Sequence, residues 1–339
     1  MTGPQPTAAP SLNAIRDAAE AIRGEVVRTP LVLLPDTGSD APEIWLKLEN
    51  LQPVGSFKIR GAANLARSLT PDDLRTGVWT ASAGNMAQAA AWVARRRDIP
   101  CVVVVPDSAP SAKTEAVERM GGRVIKVPHE AWWQAMEDGR FPGLAGRYLP
   151  PFDDPLVMAG NGTIGLELIE DLPGVDAILV PYGGGGLAVG IAAAVKALRP
   201  SVRVYAVEAE TSAPLAASLA AGEPRRVERV PSFVDGIGGA AVFPRMFELA
   251  RRVLDGSLVA SITEIEEAVR LLAGRARVVA EGAGACPVAV ALSGRVPAPC
   301  RRIACVVSGG NINAAVLAGI LAGGKATPEP PRQTGGPRQ

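Results

Sequence analysis

Lys58 sits between Phe57 and Ile59 in "QPVGSFKIRG", residues 52–61, and it is the first residue of the chain whose setting suggests chemistry. Lysines ordinarily lie at the surface, with the methylene stem folded along apolar groups and the ammonium in water. Here Gly55 and Ser56 turn the chain, and Ile59, Ala62, Ala63, Ala66 and Leu69 follow at helical spacing, so Lys58 is predicted at a helix N-terminus. That position and apolar neighbours both lower a lysine pKa from about 10.4, towards a value where the neutral amine can attack a carbonyl carbon.

A second constellation lies far downstream. Gly183, Gly184, Gly185 and Gly186 in "PYGGGGLAVG" stand between the apolar run "AILV" and an Ala-rich segment. Glycines let backbone N–H groups turn inward without Cβ interference, and a helix starting near Leu187 adds its positive end, which together make a cradle for a phosphate. The run lacks the GxxxxGK[ST] pattern, so it is not a triphosphate loop. A nucleophilic lysine and a single-phosphate cradle are together what pyridoxal phosphate requires.

Other candidates carry less. "GNGTIG", Gly160 to Gly165, matches the dinucleotide pattern GxGxxG, but it follows the proline-broken "PFDDPLVMA" rather than a strand, so its glycines are expected to allow close packing at a helix start. Asp153 and Asp154 have no third ligand at metal-binding spacing and are read as turn and capping groups. The single histidine, His129, cannot support a catalytic triad or a multi-histidine metal site, and is expected to be exposed or to cap a helix. Cys101, Cys286, Cys300 and Cys305 lie in or beside apolar segments without a CxxC pair and read as reduced, buried thiols.

The elements that must position these groups follow from periodicity. Within 339 residues, 47% apolar, the runs "GVWTAS", "CVVVVP", "RVIKV", "AILVPY", "RVYAVEA" and "RIACVVSGG" suit strands buried on both faces of a parallel sheet. Helices are predicted over Asn85 to Arg97, Ser111 to Met120, Leu187 to Leu198 and Ser261 to Ala280, the last opening with a capping-box pair, Ser261 and Glu264. This alternation is α/β. The Pro-, Gly- and aromatic-rich stretch from His129 to Val157 reads as a crossing between two units with a ligand cleft between them. A formal charge of +1 without a basic block argues against nucleic acid. No uninterrupted apolar span of roughly 20 residues points to a membrane, and no export signal opens the chain, so a cytoplasmic location is expected.

The ordered segments "KLENLQPVGSFKIRGA", "SAGNMAQAAA", "PFDDPLVMAGNGTIGLE", "VPYGGGGL" and "SGGN" resemble fold-type II pyridoxal phosphate enzymes, most closely the threonine and serine dehydratases and serine racemases, over roughly residues 15 to 320. The resemblance implies a two-domain fold like that of the tryptophan synthase β chain, with mainly parallel twisted sheets flanked by helices. Residues 15–74 and 153–325 would form a discontinuous cofactor-binding domain, 75–152 a small mobile domain carrying the substrate loop, and 1–14 and 326–339 disordered tails. Lys58 would form the Schiff base and remove the substrate α-proton, and Phe57 would pack on the cofactor ring. Asn85 would meet the ring's 3′-oxygen, Gly183 to Gly186 the phosphate and Ser308 the pyridine nitrogen. Ser82, Ala83, Gly84, Asn85 and Met86 would form the substrate loop. A hydroxyl at the pyridine nitrogen makes the ring a weaker electron sink than a carboxylate would, which suits prompt elimination of the β-hydroxyl, protonated by the cofactor phosphate. A small-molecule amino acid is the expected partner, and a homodimer is expected from the resemblance alone.

Departures from the resemblance refine these expectations. Ala83 stands where serine racemases carry a second serine, which disfavours racemisation. Glu208 is present where related enzymes hold a cation, but Pro214 replaces the carboxylate six residues later, so no metal is expected. Met86 replaces the usual histidine and suggests a bulkier or more apolar substrate than serine, such as phenylserine. Elimination from 3-hydroxyaspartate, or β-replacement with a thiol or indole, remains an alternative.

Overall fold

A computed structural model describes residues 8–35, 41–109, 111–297 and 299–323. The strands in chain order are β1 (Leu31–Leu33), β2 (Glu43–Lys47), β3 (Val78–Ala81), β4 (Cys101–Pro106), β5 (Arg123–Val127), β6 (Arg147–Tyr148), β7 (Ala177–Pro181), β8 (Arg203–Ala209), β9 (Gly256–Ala260) and β10 (Arg302–Val306). They form two sheets, one in the order β1-β2-β10-β7-β8-β9 and a smaller one in the order β5-β4-β3-β6. Only β1 with β2 is antiparallel. Parallel strands need crossovers, and the helices that make them cover the sheets.

The β-branched runs anticipated from sequence are strands, with β4, β5 and β8 matching end to end. Strands β1, β2, β6 and β9 were not anticipated. They lie at or near the edges of their sheets and are only partly buried, so their apolar pattern is weak. The run Ser261 to Ala280 is not one α-helix. The helix closes at Leu271, widens into a π-turn over Leu272–Ala276, and Arg277 takes a φ of 61°, a helix-ending conformation that apolar periodicity does not report. The stretch read as an irregular crossing begins instead with the helix His129–Asp138, ended by Gly139 at φ 60°, because Trp132 and Met136 pack on the small sheet. Of the expected tails, residues 1–7 and 324–339 lie outside the described residues. Within 1–14, a helix already starts at Leu12: Ser11 caps it by accepting from the Ala14 N–H at 3.2 Å, and Ile15 is buried beneath it.

"GNGTIG" lies inside the helix Pro155–Asp171 rather than at its start. A Cβ at Gly160 would fall 2.4 Å from the Arg60 carbonyl oxygen, and one at Gly162 would fall 2.8 Å from the Gly190 carbonyl oxygen. These glycines let helix backbones touch, as expected for close packing and not for a nucleotide. Asp154 caps this helix through the N–H groups of Leu156 and Val157, and Asp153 pairs with Arg245.

The helix Lys58–Ala66 joins the two units. Ile59, Ala62, Ala63, Leu65 and Ala66 pack in one apolar cluster with Val78, Met86 and Val103 of the smaller unit. The opposite side carries Arg60, 1% exposed, whose guanidinium grips both oxygens of Glu49 at 2.8 Å and both of Glu167 at 2.6 and 2.9 Å. Lys47 pairs with Glu167 at 2.6 Å and donates to the Thr29 carbonyl. Two cations thus balance two carboxylates. Burial works against the Arg60 cation, but Glu49 and Glu167 outweigh it, and its pKa stands above the ordinary value. Among the described residues no helix is long and apolar enough to cross a membrane.

Removing one partner of a buried ion network leaves the others unpaired, which costs about 3–5 kcal/mol. Arg60→Ala is therefore expected to lower the denaturant midpoint by a corresponding amount; an unchanged midpoint would count against a structural role for this network.

Candidate active site

Lys58 is the first residue of its helix, as its spacing predicts, and Phe57 precedes it as the cap. The turn before it is stitched to the segment after β10: the Phe57 N–H donates to the Ser308 carbonyl at 2.9 Å, and the Gly310 N–H to the Gly55 carbonyl at 2.9 Å. Gly55 has φ 69°, and a Cβ there would lie 2.6 Å from Asn311 Oδ1, so both conformation and close approach require glycine. Lys58 is half-buried, with Nζ 5.0 Å from the Phe57 ring centroid and donating to the Pro151 carbonyl at 2.5 Å. Burial lowers its pKa from 10.5 to about 8, against an opposing pull from Glu281.

Three further loops meet this lysine at the C-terminal ends of their strands, where open α/β sheets bind ligands. Ser82 to Asn85 follow β3, Gly183 to Gly186 follow β7, and Ser308, 2% exposed, follows β10. Lys58, Phe57, Ser82, Ala83, Gly84, Asn85, Met86, Gly183, Gly184, Gly185 and Ser308 all line one cavity of about 640 Å³ between the two sheets. Gly186 stands behind the lining as the first residue of the helix Gly186–Leu198; a Cβ there would fall 2.2 Å from the Phe152 carbonyl oxygen. No side chain caps that helix. Its cap residue Gly185 has φ 91°, and beside it the Tyr182 hydroxyl is buried without a hydrogen-bond partner among the described residues. The uncapped N–H donors of this helix start, beside Gly183 to Gly185 on the cavity wall, suit an anion.

The chain as a whole resembles known proteins. A family model for pyridoxal-phosphate dependent enzymes matches residues 22–309. The chain belongs to that family. It is 40% identical to L-threonine ammonia-lyase of Thermotoga maritima over 92% of this chain and 78% of that protein. It is 34% identical to the catabolic L-threonine dehydratase of Staphylococcus aureus (strain USA300) over 92% of each. Serine racemase from Dictyostelium discoideum superposes with a TM-score of 0.82 at 32% identity, covering 90% of this chain and all of that one.

The donor set of this pyridoxal phosphate enzyme fits its cofactor: a lysine amine of lowered pKa, an uncapped helix start for one phosphate, and a buried hydroxyl, Ser308. The Asn85 side chain is held at both ends, Nδ2 donating to Glu281 Oε1 at 2.8 Å and Oδ1 accepting from Asn311 Nδ2 at 2.7 Å. Gly84, cap of the helix Asn85–Arg97, donates its N–H to Ser82 Oγ at 3.3 Å. Met86 borders the cavity but is 1% exposed, its bulk taken up by the smaller unit's apolar cluster. Glu208 is committed elsewhere: its oxygens accept from the N–H groups of Leu215 and Ala216 at 2.8 Å, which caps the helix starting at Pro214. His129 is exposed at the start of its helix, and the four cysteines are free, three of them buried.

Sequence reasoning missed Glu281, Asn311, Phe152, Asp235 and the indoles of Trp132 and Trp133, all on the cavity wall. Glu281 had a signal: it opens "EGAGAC", and its small residues let the new helix approach closely. A Cβ at Gly284 would fall 2.6 Å from the Gly309 carbonyl oxygen. Burial first, then the charge of Asp235, pushes the Glu281 carboxyl from 4.5 up to about 7.

A carboxyl raised on folding contributes stability that is full below its unfolded pKa of 4.5 and is lost as pH rises through 7. Glu281→Gln lacks that loss. Between pH 5 and pH 8 the stability difference is therefore expected to move in favour of the variant, by on the order of 3 kcal/mol; urea titrations giving the same difference at both pH values would refute the assignment.

Proposed function

We propose that the enzyme dehydrates and deaminates a β-hydroxy amino acid such as L-threonine or L-serine, releasing a 2-keto acid and ammonia. The observation that carries this reading is the convergence of Lys58, Ser82 to Asn85, Gly183 to Gly185 and Ser308 on a single cavity. The ammonia-lyase and dehydratase names of its relatives support it.

Bound pyridoxal phosphate supplies an aldehyde for the amino group and a conjugated ring that withdraws electrons from the α-carbon. Gly183 to Gly186 would hold its phosphate, Lys58 its aldehyde, Phe57 the face of its ring, Asn85 the ring oxygen and Ser308 the ring nitrogen. Ser82, Ala83, Gly84 and Asn85, at a helix start, would seat the substrate carboxylate on backbone N–H groups. Lys58, partly neutral near a pKa of about 8, accepts the α-proton at Nζ. The Cβ–O bond breaks, and the departing hydroxyl takes a proton to leave as water, which balances the proton taken by Lys58. The freed product takes water back and yields the 2-keto acid and ammonia. Ala83 offers no hydroxyl to return a proton to the other face, so racemisation lacks its second group.

Closure of the smaller unit over the substrate would exclude water. In this structure Asn85 with Glu281, and Lys113 with Asp235, already bridge the cleft. The proposal extends to a cytoplasmic enzyme acting on a small-molecule amino acid and to a homodimer, the last an expectation taken from the family resemblance.

Incubation with L-threonine or L-serine is expected to release keto acid and ammonia in equal amounts, and Lys58→Ala to lower turnover by more than about a thousandfold. Borohydride reduction of the loaded enzyme followed by peptide mapping should place a pyridoxyl label on Lys58. A label on another lysine would overturn the assignment.

A further inference from the structure

The substrate loop, the lysine and the glycine cradle account for one side of the cavity. The other side is aromatic. Phe152 lies against the cradle, since a Cβ at Gly184 would meet its ring at 2.3 Å. From there the rings run outward: Phe152 to Phe243 with centroids 5.4 Å apart, Phe243 stacked on Trp133 at 6.3 Å and 13°, and Trp133 to Trp132 at 6.2 Å. The row crosses the cleft, because Phe243 belongs to the larger unit and the indoles to the helix His129–Asp138. All four residues, with Met136, line the same cavity as Lys58.

Most charges on this lining have close partners. Lys113 pairs with Asp235, Arg119 lies 3.9 Å from Glu115, and Glu281 accepts from Asn85. A substrate side chain reaching the aromatic row meets mainly apolar ring surface, with the Trp132 indole N–H, which has no hydrogen-bond partner among the described residues, as its one polar edge. The hydrogen or methyl group that serine or threonine carries on its β-carbon covers almost none of that surface. A phenyl or large alkyl group on the same carbon buries against it, and an offset aromatic contact adds about 0.5–1.5 kcal/mol beyond area burial. A β-carboxylate would lose its hydration there, with at most the Trp132 indole N–H in exchange and no buried cation.

We propose that the preferred substrate is a β-hydroxy amino acid whose β-carbon bears a bulky apolar or aromatic group, seated on the wall formed by Trp133 and Phe243. This rests on the dehydratase reading and deepens it: bonds break as described above, and phenylserine would give phenylpyruvate and ammonia. Selectivity then resides in Trp133 of the helix His129–Asp138 and in Phe243, which precedes the helix Pro244–Val253.

Two readouts on the cofactor-loaded enzyme test it. Keto-acid release should give a kcat/KM for L-phenylserine at least about tenfold above that for L-threonine, with 3-hydroxyaspartate below both. Trp133→Ala, or Phe243→Leu should the first variant fold poorly, should bring the phenylserine to threonine ratio down towards one. Calorimetry should show L-phenylalanine, which has the ring but no leaving hydroxyl, binding at least about tenfold more tightly than L-alanine. Threonine turned over as well as phenylserine, or phenylalanine bound no better than alanine, overturns the proposal. Absence of turnover on every hydroxy amino acid, with phenylalanine still preferred, overturns the dehydratase reading while upholding the aromatic subsite.

Discussion

The buried guanidinium of Arg60, two residues after Lys58, is the constraint on which the site depends. Its fork-to-carboxylate bonds to Glu49 and Glu167 fix one side of the helix Lys58–Ala66 against the residues after β2 and the helix Pro155–Asp171. Bidentate geometry fixes direction as well as distance. With that side held, the other side of the same helix turns its apolar residues to the smaller unit, and the helix start presents Lys58 to the cleft.

The cleft itself is a consequence of strand direction. Both sheets direct C-terminal ends of parallel strands towards the same space, so loops from β3, β7 and β10 arrive there with their glycines and helix starts. Close backbone approach is what makes this dense: Gly55 against Asn311, Gly184 against Phe152, and Gly284 against Gly309 leave no room for a Cβ. The polar groups caught between are then governed by desolvation. It draws the Lys58 pKa down and pushes the Glu281 carboxyl up, bringing both nearer neutrality.

Much of this was legible in advance. β4, β5 and β8 are runs whose side chains are largely apolar, and the helix Asn85–Arg97 is regular from end to end, so local pattern and tertiary setting agree. Lys58 and the Gly183–Gly186 run could be read because each combines a residue type with a turn or helix start that chemistry demands. The misreadings fell where local signal and packing part company. Met86, expected in the substrate loop, both borders the cavity and packs in the core, a double setting that residue type alone does not report. The helix His129–Asp138 was taken for an irregular crossing because its aromatic residues serve the small sheet and the cavity together.

The amino-acid sequence by itself determined the groups available: a lysine at a helix start, a glycine run between a strand and a helix, and a hydroxyl following an apolar strand. Those are properties of residue type and near neighbours along the chain. Only the tertiary structure decided the company they keep. It brought Glu281 and Asn311 to Asn85, although they lie far from it along the chain, tied Glu208 to a helix end, and raised an aromatic wall from two separate units. The physical reason is that these partnerships rest on through-space contact and desolvation, set by how sheets and helices pack, and no spacing along one chain encodes them.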